Sequence, residues 1–157
     1  MSYRGRFAPS ATGPLHLGSI FAALISFLDA RFHQGTWLVR IDDLDTFRCK
    51  PESPDLILET LRAFALVPDQ PPVFQSTRVD AYHEALHTCI AQERVYTCTC
   101  RRNDLPRGPY PGYCRHRLGQ APLPDTALRI DTQGLETKYT DHYQGSVAPE
   151  NPGDFVI

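Results

Sequence analysis

The chain has 157 residues, 41% of them hydrophobic and 22% charged, with 16 Lys and Arg against 18 Asp and Glu. These proportions fit one compact domain, or a domain with a small insertion, and exclude an intrinsically disordered polymer. No apolar run approaches the ~20 residues of a membrane span, no apolar secretory core follows Met1, and a formal net charge of −2 confines any nucleic-acid contact to local patches.

Residues 3–8 are strand formers, and Pro9-Ser10-Ala11-Thr12-Gly13-Pro14 ends regular structure after them. From His16 to His33 the apolar residues Leu17, Phe21, Leu24, Leu28 and Phe32 recur at helical spacing, which predicts a helix with that face turned inward. Gln34-Gly35 closes it, with Gly35 expected in the left-handed position beyond the cap. Residues 36–41 read as a buried strand, so strand, helix and strand form a βαβ unit with a parallel sheet. Ser53-Pro54-Asp55 reads as an N-cap, first-turn proline and first-turn carboxylate for a second helix, with Ile57, Leu61, Phe64 and Ala65 as its apolar stripe. A loop with Pro68, Pro71 and Pro72 leads to a third helix near 79–93, with Tyr82, Leu86 and Ile90 inward. Short strands are expected at 96–100, 127–131, 138–143 and 154–157. The organisation predicted is α/β over 1–93, followed by a small α+β segment over 94–157.

Ligands of parallel sheets bind beyond the carboxyl ends of the strands. Two segments lie there, Pro9–Ser19 and Asp42–Asp45. In the first, Gly13 permits a tight turn and the chain enters a helix at Leu15-His16-Leu17-Gly18, whose free N–H groups and dipole suit a phosphate. The same spacing also suits an ordinary turn with a capping histidine.

Arg6-Phe7-Ala8-Pro9-Ser10-Ala11-Thr12-Gly13-Pro14-Leu15-His16-Leu17-Gly18 resembles the HIGH signature of class I aminoacyl-tRNA synthetases in its glutamyl/glutaminyl form. Arg40-Ile41-Asp42-Asp43-Leu44-Asp45 is similar to the acidic motif after the next strand of that subgroup. The resemblance implies a Rossmann-type fold and ATP, with Mg2+, bound by Pro9, Thr12, Gly13, His16, Gly18 and Ser19, of which His16 and Gly18 act in catalysis. It implies an L-glutamate pocket of Arg6, Phe7, Ala8, Pro9, Ser10 and Asp42, with the acid holding the α-ammonium. Three departures stand out: Asp42 where glutamate-using relatives often carry Glu, Ala11 for a frequent proline, and Phe47 before Arg48.

Five cysteines, an odd number, suit a reducing, cytoplasmic compartment better than a disulfide framework. Cys98, Cys100 and Cys114 cluster, while Cys49 and Cys89 stand alone. Three thiolates need a fourth ligand for tetrahedral zinc; Tyr110, Tyr113, His116 and solvent are the candidates, and His116 leads by ligand chemistry. Cys-x-Cys followed by Tyr110-Pro111-Gly112-Tyr113-Cys114 resembles the zinc site of glutamyl-queuosine tRNA(Asp) synthetases, short glutamyl-tRNA synthetase paralogues. That resemblance implies structural zinc on Cys98, Cys100, Tyr110 and Cys114, and glutamate transfer to queuosine in tRNA(Asp). Arg101, Arg102, Arg107, Arg115 and Arg117 surround the cluster, as a phosphate-binding patch or a solvated rim.

His83-Glu84-Ala85-Leu86-His87 matches a zinc-protease motif, but no third ligand follows in the required pattern. Two alternatives remain beside the first reading: the amino-terminal part of an ordinary glutamyl-tRNA synthetase, and a non-catalytic zinc-bearing RNA-binding module. The KMSKS-type lysine loop of class I synthetases has no counterpart, since the lysines are Lys50 and Lys138. The chain is therefore expected to be the first half of a larger enzyme, cut in a strand at Phe155-Val156-Ile157 and inactive by itself.

Overall fold

The computed structural model describes residues 3–105, 107–135, 138–148 and 153–157. Met1 and Ser2, where the reading for a secretory segment begins, lie outside them. The chain divides into two compact units, Met1–Asp80 and Ala81–Ile157.

In the first unit, β1 (Arg4–Phe7), α1 (Leu17–Phe32), β2 (Thr36–Ile41), α2 (Ser53–Ala63) and β3 (Val73–Phe74) build a three-stranded sheet in the order β1-β2-β3. Both strand pairs are parallel, with Arg6 opposite Leu38 and Ile41 opposite Phe74. This is the expected βαβ unit, extended by the two-residue β3 that the sequence pattern does not reveal. Along β2 every second residue is buried, so Trp37, Val39 and Ile41 join Phe7, Ala23, Ala30, Ile57, Leu61 and Leu66 in one core. Asp69, in the loop after α2, is bound to β2 through its carboxylate, which accepts from the Trp37 N–H at 2.6 Å and from Arg31 at 2.7 Å. The Arg31 hydrogen bond holds that carboxyl below the ordinary range.

The inward face of α1 is not the one that the apolar spacing predicts. Leu17, Phe21, Leu28 and Phe32 are 81%, 62%, 51% and 83% exposed, whereas Ala23 and Ala30 are fully buried. Close approach explains the inversion. A Cβ on Gly5 of β1 would lie 2.9 Å from the Ser26 carbonyl and 3.0 Å from the Ala30 Cβ, so only small residues fit between helix and strand. Ser26 completes this face by accepting a 2.9 Å bond from the Trp37 indole N–H.

Helix ends also depart from expectation. Gln34, not Gly35, takes the left-handed conformation (φ +51°), and the Gly35 N–H donates to Ala30 O at 2.8 Å in a Schellman closure. Gly35 is needed because a Cβ there would sit 2.4 Å from Tyr3 O. Ser53 is not an N-cap: Glu52 holds that position already in helical conformation, and the Ser53 side chain is buried without a hydrogen-bond partner.

In the second unit, α3 (Val79–Ala91) begins just before the division, and none of its residues is fully buried. The expected inward stripe is only half-buried at Leu86 and Ile90, and Tyr82 is exposed. β4 (Val95–Cys98) pairs antiparallel with β5 (Ala127–Ile130), and β6 (Tyr139–Asp141) with β7 (Gly145–Val147). The expected final strand is reduced to an antiparallel bridge between Val156 and Arg129.

The inverted α1 face gives a direct test by urea denaturation. Ala23→Leu should cost about 1–3 kcal/mol by overpacking, whereas Leu28→Ser should change stability by less than about 0.5 kcal/mol.

Candidate functional site

The β1–β2 ladder does not stop at the strand ends. Asp42 N–H donates to Pro9 O at 2.9 Å and Ala11 N–H donates to Asp42 O at 3.0 Å, forming a parallel bridge between Ser10 and Asp42. Lys50 N–H adds a 2.9 Å bond to Ala11 O. Ala11 makes a bond that a proline in its place could not, because proline has no N–H. The two loops are thereby held side by side at the carboxyl end of the sheet.

Beside them opens a cleft of roughly 420 Å³ lined by Phe7, Ala8, Pro9, Ser10, Thr12, Gly13, His16, Gly18 and Ser19, with Pro14, Leu15 and Ala22. Nine of the residues expected to bind nucleotide or amino acid thus share one wall. Ala22 was missed by sequence reasoning, although its place one turn beyond Gly18 marks it as a small residue on the same helical face. Two expected residues stand apart from this lining. Arg6 is exposed on β1, and Asp42 is held by Arg40 through bonds of 2.6 and 2.9 Å.

His16 caps α1. Its Nδ1 accepts the Ser19 N–H at 3.2 Å, which places the ring proton on Nε2, 3.0 Å from Ser19 Oγ. The ring folds back over Gly18, where a Cβ would lie 3.1 Å from His16 Cε1. Gly18 therefore makes room for the imidazole itself. The capping reading and the anion-site reading are compatible, since a cap satisfies one of the helix's four free N–H groups and leaves the others.

The acidic run after β2 is committed to local structure. Asp43 accepts from Ser76 N–H at 2.9 Å and from its hydroxyl at 2.6 Å, tying the loop to the 3-10 turn Gln75–Arg78. Asp45 accepts from Arg48 Nε at 2.6 Å, and that bond lowers its pKa.

In the second unit, Cys98, Cys100 and Cys114 bring their sulfurs within 4.8 Å of one another. The Tyr110 hydroxyl lies 3.5 Å from both Cys98 Sγ and Cys100 Sγ, and Cys100 Sγ lies 3.6 Å from Cys114 Sγ. A tetrahedral zinc with Zn–S of about 2.3 Å and Zn–O of about 2.0 Å sets sulfurs about 3.8 Å apart and sulfur and oxygen about 3.5 Å apart. The donor set fits that geometry. His116 does not join it: its ring is exposed, with Nδ1 3.1 Å from Tyr113 O.

The electrostatics favour thiolates at Cys98 and Cys114 but not at Cys100, where the lowering by the Tyr110 hydrogen bond is outweighed by burial and by hydrogen bonds with Cys114 and Cys98. Burial opposes ionisation of Cys114, but hydrogen bonds from Tyr110, the Thr99 backbone and the other cysteines outweigh it and pull the thiol down to about 6. Burial likewise opposes Cys98, whose thiol is held low by Tyr110 and Arg129. Tyr110 moves the other way, raised by burial and by the neighbouring sulfurs.

Arg101, Arg102 and Arg107 are exposed near this cluster. Arg115 is not part of a free basic rim, because it is paired with Asp131 at 3.0 Å and Asp154 at 2.7 Å. Arg117 donates to Thr99 Oγ1 at 3.2 Å. His83 and His87 are exposed on α3 and enter no three-ligand group among the described residues. Among those residues, no helix is long and apolar enough to cross a membrane.

The catalytic-domain family described as tRNA synthetases class I (E and Q) matches residues 2–108. A glutamyl-Q tRNA(Asp) synthetase of Burkholderia cenocepacia is 45% identical over 99% of this chain and 57% of its own length. Its namesake in Methylococcus capsulatus is 44% identical over 99% of this chain and 53% of its own length. The chain thus spans about half the length of these curated relatives. Among solved structures, a glutamate tRNA ligase from Elizabethkingia meningosepticum, in complex with its amino acid, is 25% identical with a TM-score of 0.73, covering 99% of this chain and 36% of that one.

The metal assignment is tested by elemental analysis. One zinc per chain is expected in the wild type, in His116→Ala and in the double variant His83→Ala, His87→Ala. Cys114→Ala is expected to lose it.

Proposed function

The chain belongs to the class I tRNA synthetases of the E and Q catalytic-domain family, and on that premise we propose that it supplies the nucleotide-binding half of an enzyme that activates L-glutamate with ATP and transfers it to queuosine in tRNA(Asp). The observation that carries the reading is the cleft where the His16-capped start of α1 faces the loop tied to Asp42.

In the first step a glutamate carboxylate oxygen attacks the α-phosphorus of ATP, forming glutamyl-AMP as the bond to pyrophosphate breaks. The free N–H groups at the start of α1 stabilise charge on the α-phosphate oxygens. The His16 Nε2–H, released from Ser19, donates to a phosphate oxygen. Ser10 and Ala8 border the amino acid, and Asp42 takes the α-ammonium with Arg40 fixing the carboxylate's orientation. In the second step a hydroxyl of the modified base attacks the glutamyl carbonyl, and AMP leaves.

The queuosine specificity rests on the relatives' names and on the Cys98, Cys100, Tyr110, Cys114 set. Zinc there is structural: with four protein donors no position is open for water, and the metal would hold the loop between β4 and β5. Exposed Arg101, Arg102 and Arg107 offer phosphate contacts to tRNA. The enzyme acts in the cytoplasm. Because Lys50 and Lys138 do not form a KMSKS-type loop, the 157 residues alone make no adenylate.

The gene product at its natural length should glutamylate tRNA(Asp) bearing queuosine and reject tRNA(Glu). Charging of tRNA(Glu) would instead establish an ordinary glutamyl-tRNA synthetase, and tRNA binding without glutamate-dependent pyrophosphate exchange a non-catalytic module. His16→Ala should lower pyrophosphate exchange about 10²–10³-fold.

A further inference from the structure

Asp154 is 2% exposed, and its carboxylate is surrounded by donors from three segments of the second unit. Oδ2 accepts from Arg115 Nε and Nη2 at 3.0 and 2.7 Å and from the Tyr96 hydroxyl. Oδ1 accepts from the N–H and the hydroxyl of Thr132, both at 3.0 Å. Its backbone carbonyl accepts from Arg129 Nη1 at 2.7 Å.

Two of these links, through Arg115 and Arg129, lead to the cysteine cluster. Arg115 directly follows Cys114. The Arg129 guanidinium lies 3.9 Å over the centre of the Tyr110 ring. Gly153, at φ +67°, lies so close to the Tyr110 loop that a Cβ there would be 2.7 Å from Tyr110 N and 2.8 Å from Pro109 Cβ. The residue pair Gly153-Asp154 therefore braces the backbone of Tyr110, the face of its ring and the turn after Cys114.

Charge gives the brace a reason. Three thiolates around a divalent ion leave one surplus negative charge in a largely buried site, and an uncompensated buried charge is costly. Arg129 is 8% exposed and supplies the compensating cation, while the Asp154 carbonyl fixes where it sits. A phenol is a weak ligand that binds well only if it is held in place beforehand, and groups behind the ligands commonly do this.

We propose that Asp154 is the positioning residue of the metal centre, acting through Arg129 and Arg115 to preset Tyr110 and Cys114 as ligands. The inference rests on the reading of the cluster as a zinc site.

The test measures zinc affinity of the full chain by competition with a chromophoric chelator, together with the visible spectrum of the cobalt(II) form. Asp154→Asn should weaken zinc binding about 10–100-fold and shift the cobalt ligand-field bands as solvent replaces the phenol. In a Tyr110→Phe background Asp154→Asn should add much less, because the phenol ligand that it presets is already gone. Wild-type affinity and spectrum in a folded Asp154→Asn chain would overturn the proposal while leaving the zinc reading intact. Failure of the wild-type chain to bind zinc would overturn both. Should Asp154→Asn not fold, Arg115→Met, which removes the carboxylate's own link to the turn after Cys114, decides in its place: a comparable loss supports the proposal, and wild-type affinity overturns it.

Discussion

The first unit depends on the hydrogen-bond ladder that runs past the ends of β1 and β2 to join Pro9, Ala11 and Asp42. Parallel strands diverge into loops at their carboxyl ends, and those loops are normally free to move apart. Here the ladder takes one more step, so the loop before α1 and the acidic loop are fixed relative to each other by backbone bonds rather than by side chains. Ala11 is 1% exposed and both its N–H and its carbonyl are bonded, to Asp42 and Lys50 respectively. The cleft wall is therefore preformed, which is what electrostatic stabilisation of a developing charge requires.

Helix position follows from the same economy of space. α1 must reach the sheet closely enough for its first turn to face the loop, and Gly5, Ala23, Ser26 and Ala30 permit this. The large apolar residues of the expected stripe lie on the other side, with Leu17 and Phe32 more than four-fifths exposed, whereas Phe27 packs edge-on to Trp37. All three long helices close the same way: Gln34, Ala65 and Glu93 take left-handed conformations, and the N–H of the next residue reaches back five positions. None of the three is glycine, so each closure carries a conformational cost of about 1–2 kcal/mol that the hydrogen bonds and packing offset.

The second unit has few large apolar residues in its core and is organised around polar and sulfur groups instead. Tyr96, Cys98, Tyr110 and Cys114 form its buried cluster, and Asp154 with Arg115 and Arg129 lies against it. Buried ion pairs seldom add net stability, but they define geometry sharply because each partner is costly to leave unpaired. That property suits a small unit that holds three cysteines and a tyrosine in one arrangement.

Much of this was legible in the sequence. The βαβ order, the strand-end loops and the three-cysteine cluster follow from residue types at short spacing, and short-range pattern survives without knowledge of the fold. Nine of the expected cleft residues lie in one stretch between Phe7 and Ser19 for that reason. The inward face of α1 was misread because periodicity identifies an apolar stripe but not what covers it; close backbone approach at Gly5 turned the alanine face to the sheet. The choice of Tyr110 over His116 beside the sulfurs, the loss of Arg115 from the basic rim, and the hub at Asp154 depended on contacts between residues up to 58 positions apart. Local chemistry determined which groups the protein owns, and only the tertiary structure decided which of them meet, because the free energy of a buried charge or a close backbone contact belongs to the pair and not to either residue.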